Sequence, residues 1–196
     1  MPRRFALLAI AASCITAGCQ VLPEDKVSVD YYSISGNSTE ALDNEIRRKG
    51  PRIGVAGKHA VAVARIRMVP TIDYRKRGDA CSIRAAKVNV NARVTLPRWT
   101  GRPMASKKLG EAWDNIDRYT RLHESVHVAI AFRFARLMEA ELLDLPAEAD
   151  CSTMRRSSAA LVRSVLAEHD RTQLQFDADE QKRFEAYAAL QPQVRQ

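Results

Sequence analysis

Apolar and polar residues alternate from Val27 to Ser35, a run rich in Val, Tyr and Ile, which predicts a strand ending at Gly36. Ser38 or Thr39 can then cap a helix running to Lys49, with Gly50-Pro51 as its stop. Two long β-like runs follow, Ala60 to Tyr74 and Ser82 to Leu96. In the second, Val88, Val90, Ala92 and Val94 alternate with Asn89, Asn91, Arg93 and Thr95, which predicts one core face and one wet face. Residues 75–80 read as the turn of a hairpin between the two runs. Beyond Leu96-Pro97-Arg98-Trp99 the period becomes helical. One helix is predicted from about Leu109 to Leu143, ending before Pro146, and a second from near Ala149 to about Ala189. No internal repeat or low-complexity linker interrupts this order. It indicates a single α+β domain in which a small antiparallel sheet packs on long C-terminal helices.

The first long helix carries Trp113, Ile116, Tyr119, Val126, Ile130, Phe134 and Leu137 at spacings of three and four, with Asp117, Arg121, Arg133 and Arg136 between them. Residues 128–132 are apolar all round, as in a central helix covered on more than one side. His123, Glu124 and His127 lie on or beside this stripe and form an H-E-x-x-H run. Residues four apart on a helix share a face, so the two imidazoles can converge on one ion, and Zn²⁺ is the metal that suits them best. Glu124 sits about 100° round the helix, where it can act as general base on a water activated by the ion. The expected arrangement is zincin-like. Two core histidines satisfied by hydrogen bonds are the structural alternative.

A catalytic zinc takes three protein ligands, so a further donor is required. On the last helix Leu161, Val165, Phe176, Phe184 and Tyr187 share a face, and His169 and Glu180 project into it. A carboxylate among aromatics is costly to bury unless it is paired or metal-bound, which favours Glu180 as third ligand. His169 lies about 16 Å from it along a helix, so the two cannot share one ion. Asp177, at the edge of the stripe, and Glu148, which follows His127 by a thermolysin-like spacing, are the other candidates. A solvated helix N-terminus accounts equally well for Glu148.

Composition adds an address. Arg3 and Arg4 precede an apolar run from Phe5 to Ala12, and small residues follow to Cys19, the layout of an export signal over residues 1–19. Thr16-Ala17-Gly18-Cys19 is similar to a lipobox, although Thr16 stands where Leu is usual, so lipidation of Cys19 and ordinary cleavage near Ala17 both remain open. Residues 20–196 then form the single domain, exported to the periplasm or outer membrane or secreted. Only Cys81 and Cys151 remain in that body, and an oxidising compartment predicts a disulfide between them. Neither has a metal-ligand spacing. Of the 31 basic residues two belong to the signal, and the other 29 against 23 acidic leave a net charge of +6. These charges are scattered rather than gathered into a stripe with aromatics, which argues against nucleic acid and for an anionic envelope surface or acidic substrates. His59 is assigned no role, and Trp99 and Trp113 are expected to be core anchors.

With these residues on the page, the chain resembles a family of bacterial exported proteins, domain of unknown function 922, described as predicted secreted zinc-dependent proteases. The likeness runs from Tyr31-Tyr32-Ser33-Ile34-Ser35-Gly36 through Leu42, Gly50-Pro51, Leu96-Pro97-Arg98-Trp99 and His123-Glu124-Ser125-Val126-His127 to Cys151 and Phe176-Asp177. In the family pattern the last piece reads Tyr-Asp-x-x-Thr-x-His-Gly, and its His could be the third ligand. This chain departs from it, with Lys182 at that position.

The function expected from the sequence is an exported zinc metallopeptidase acting on peptide or protein substrates in the cell envelope. The strand from Ala60 to Tyr74 is a candidate for holding an extended peptide by main-chain pairing. Two alternatives stand beside it: a non-catalytic envelope binding protein on the same scaffold, and an amidase acting on peptidoglycan.

Overall fold

The computed structural model describes residues 24–54 and 57–190. The expected export signal, with Cys19, lies outside the described residues. Among these residues five strands and three α-helices follow one another as β1 (Lys26–Ile34), α1 (Thr39–Lys49), β2 (Arg52–Ile53), β3 (Lys58–His59), β4 (Val63–Arg77), β5 (Ala80–Trp99), α2 (Lys107–Leu143) and α3 (Cys151–Leu190), with a short 3₁₀ turn at Arg102–Met104. Among the described residues no helix is long and apolar enough to cross a membrane.

The predicted helix starts have physical causes. Ser38 caps α1 by accepting the Ala41 N–H at 3.2 Å. Glu40 sits in the first turn of α1 and Arg47, Arg48 and Lys49 in the last, each where the helix dipole favours its charge. Asp150 opens α3, its Oδ1 accepting the N–H groups of Ser152 and Thr153 at 2.7 and 2.8 Å.

The main sheet has the order β1-β5-β4. The hairpin of β4 and β5 is antiparallel as expected, but its strands continue to a two-residue turn, where Gly78 supplies a φ of 55°. The sheet as a whole corrects the antiparallel expectation: β1 runs parallel to β5, Lys26 beside Asn91 and Ile34 beside Trp99, so the sheet is mixed. Alternation along a strand shows which face is buried. It carries no information about the direction of the neighbour across a connection as long as that from β1 to β5.

Helix α2 lies beneath β5 and β4. Met68, Val88 and Val90 of the sheet meet Ala131, Phe134, Ala135, Met138 and Leu142 of α2 and Val165 of α3 in the principal core. A second cluster joins Ile34, Leu42, Trp99 and Trp113, with the two indole rings 5.7 Å apart edge to face. On the far face of β5, Asn91 and Arg93 are exposed as expected, but Asn89 is buried. The stripe of α2 is also only partly covered: Ile116, Tyr119 and Leu137 are exposed, and on α3 so is Phe184.

Cys81 and Cys151 are joined by a disulfide across 70 residues. Next to it the backbones of Cys81 and Glu148 exchange two hydrogen bonds of 2.8 and 2.9 Å, tying the start of β5 to the start of α3. The long C-terminal helices are thereby locked to the sheet at the end of α2 away from His123.

Candidate metal centre

His123 and His127 stand one turn apart on α2, and α3 crosses them so that Asp177 faces both. The His123 Nε2 and His127 Nε2 atoms are 3.1 Å apart. Asp177 Oδ1 lies 3.3 Å from the first and 3.0 Å from the second. Two imidazole nitrogens and a carboxylate oxygen suit zinc, and ligands about 2.0–2.2 Å from a tetrahedral ion stand roughly 3.3 Å from one another. The separations in the protein match that triangle. The Phe176 ring packs on both imidazoles, with centroids 4.9 and 5.0 Å away, and gives the cluster an apolar wall.

The protonation pattern around His127 follows from its neighbours. The side-chain amide of Gln173 donates from Nε2 to the His127 carbonyl at 3.0 Å and to His169 Nε2 at 2.8 Å. A carbonyl only accepts, so the nitrogen of that amide must face it, and Oε1 is left to accept from His127 Nδ1 at 2.6 Å. His127 then carries its proton on Nδ1 and presents a lone pair at Nε2, toward His123 and Asp177. By the same logic His169 is protonated on Nδ1, which donates to Asp170 at 3.0 Å. Such a partner behind the ligand fixes a metal-binding histidine in orientation and tautomer. The Nδ1 atom of His123 is buried with no hydrogen-bond partner. Burial, and secondarily the charge of His127, lowers the pKa of His123, which favours the neutral ring that a metal ligand requires.

Glu124 points inward and is only 6% exposed. Burial raises its pKa, while His127 and the N–H of Ala64 at the start of β4 act in the opposite direction. A carboxylate so placed takes up a proton more readily than an exposed one.

The other candidates do not reach both imidazoles. Glu180 accepts a hydrogen bond from the Tyr119 hydroxyl at 2.8 Å and one from Arg183 at 2.6 Å, and these donors hold its carboxyl below the usual range. The carboxylate that reaches both imidazoles is therefore Asp177 and not Glu180. A rotation of α3 about its own axis separates the two outcomes, and periodicity leaves that rotation unspecified. Glu148 is engaged with Cys81 and with Ser157, whose hydroxyl donates to it at 2.7 Å. His169 sits two turns before Asp177 and meets the centre only through Gln173. Gln173 belongs to no motif in the sequence, although His169, Gln173 and Asp177 recur every four residues and so share one face of α3.

The model of a family described as bacterial protein of unknown function, DUF922, covers residues 29–185. No curated protein and no solved structure matches the chain.

Proposed function

The chain belongs to this family of bacterial proteins of unknown function, and from that premise we propose that it is a zinc-dependent peptidase. The observation that carries the reading is the meeting of His123 Nε2, His127 Nε2 and Asp177 Oδ1 within about one tetrahedral face, with the buried Glu124 on the same helix. His123, His127 and Asp177 would hold the ion. A bound zinc supplies Lewis acidity, polarising a carbonyl and making water more acidic.

The protein's own groups do the rest. Gln173 keeps the His127 ring in the ligand tautomer. Phe176 excludes water from one side of the cluster. Glu124 takes a proton from the attacking water as its oxygen bonds to the carbonyl carbon of a peptide, then delivers that proton to the amide nitrogen as the C–N bond breaks. The products are a carboxylic acid and an amine. The fold adds an edge strand, β4, whose Ala64 N–H stands beside Glu124, a suitable place for an extended peptide to lie. The Cys81–Cys151 disulfide suits an exported protein.

The test is digestion of unfolded casein and of purified peptidoglycan by the zinc-loaded full chain and by Glu124→Gln. Cleavage of casein that disappears in Glu124→Gln, with zinc content unchanged, supports the reading. Attack on peptidoglycan alone would make the chain an amidase, and a stoichiometric zinc without turnover on either substrate would leave a metal-bearing binding scaffold.

A further inference from the structure

Between α1 and the first half of α2 runs an open trough of about 400 Å³. Leu42 and Ile46 come from α1, Leu109, Trp113 and Ile116 from α2, and Val61 closes one side. The α1 rim bears Glu40 and Asp43. Building from the role proposed above, we infer that this trough receives apolar side chains of the peptide substrate and sets the specificity of cleavage.

Three observations support that occupant. First, the trough leads to the site from both walls. On α2 the stripe Leu109, Trp113, Ile116 continues through Thr120 to His123 and Glu124, so Ile116 stands about 10 Å along the helix from His123. On the other wall Val61 precedes Ala64 by three residues, at most about 10 Å of chain, and Ala64 is the residue beside Glu124. A peptide drawn along the free edge of β4 past Glu124 therefore places its next side chains over the trough.

Second, the trough is apolar and open. Ile116 is 48% exposed and Val61 is also exposed, whereas Leu42 and Trp113 form a buried floor. Its volume falls in the range of ligand sites and exceeds that of one side chain, so two neighbouring apolar side chains fit. Third, the walls are held in place. The Tyr32 hydroxyl donates to the Val61 carbonyl at 2.7 Å, and the T-shaped pair of Trp99 and Trp113 fixes the floor.

The experiment measures binding and cleavage separately. A blocked peptide with paired leucines and its serine counterpart are titrated calorimetrically into full-length Glu124→Gln, with and without Ile116→Arg. Ile116 is exposed, so the charge is accommodated without unfolding. The expected result is binding of the leucine peptide about tenfold tighter or more, and loss of that difference in Ile116→Arg. Equal binding of the two peptides, or a difference that survives Ile116→Arg, overturns the trough assignment. If the leucine preference holds but the native chain hydrolyses nothing, the trough stands and the peptidase reading falls; hydrolysis without the preference gives the reverse.

Discussion

Gln173 holds His127 at two points, donating to its backbone carbonyl at 3.0 Å and accepting from its ring Nδ1 at 2.6 Å. A side chain on α3 thus sets the proton position of a ring on α2, forty-six residues earlier. Gln173→Leu keeps the volume and removes both bonds. Zinc affinity should fall about 10- to 100-fold, as measured by competition with a chelator. Unchanged affinity would show that the ring needs no such partner.

Asp177 and Glu180 are separated by one turn of α3 yet have different partners. Asp177→Ala should abolish stoichiometric zinc binding, because two imidazoles alone hold the ion weakly. Glu180→Gln should leave zinc content intact and disturb the contacts with Tyr119 and Arg183. Metal analysis of the two purified variants reads the difference directly, and the opposite pattern would move the third ligand to Glu180.

The Cys81–Cys151 bond closes a loop with a sequence separation of 70 residues. Loop-closure entropy assigns such a cross-link about 4 kcal/mol. Denaturant titration of Cys81→Ser/Cys151→Ser should show a loss of that order, and a loss below about 1 kcal/mol would mean that packing alone fixes the hairpin end.

Asp150 at the head of α3 is held well below the usual carboxylate pKa by hydrogen bonds from Ser152 and Thr153. A depressed pKa adds stability that is fully present above the unfolded value, about 3.9, and is lost as pH falls through the lower folded value. The wild-type chain should therefore exceed Asp150→Asn in thermal stability at pH 7, and the gap should close in strong acid. A gap independent of pH would place the effect in the hydrogen-bond geometry rather than the charge.

How much of this was legible in sequence depends on what each element needed. The bounds of α1 followed from Ser38 and Gly50-Pro51, and the hairpin from its alternating Val and Ala, because capping and alternation are local. The cysteine pair was legible only through the expected export signal, which leaves Cys81 and Cys151 as the two cysteines beyond residue 19. The parallel pairing of β1 with β5 was not legible, since it depends on the path of the chain through α1 and the β2–β3 ribbon. The same holds for the third donor. His123 and His127 are fixed by a four-residue spacing within one helix, but whether Asp177 or Glu180 meets them depends on how α3 is turned against α2. Ile116 and Tyr119 read as core because their spacing is that of a buried stripe. In the fold they lie on the part of α2 beside the trough and the histidines, which no other element covers fully, and both are exposed.

The most direct test of the metal centre is X-ray absorption at the zinc edge on the full chain purified with one equivalent of zinc. A first shell of two imidazole nitrogens and a carboxylate oxygen at about 2.0–2.2 Å, losing one imidazole in His127→Ala, is the expected result. A shell without imidazole, or a chain that retains no zinc, would contradict it.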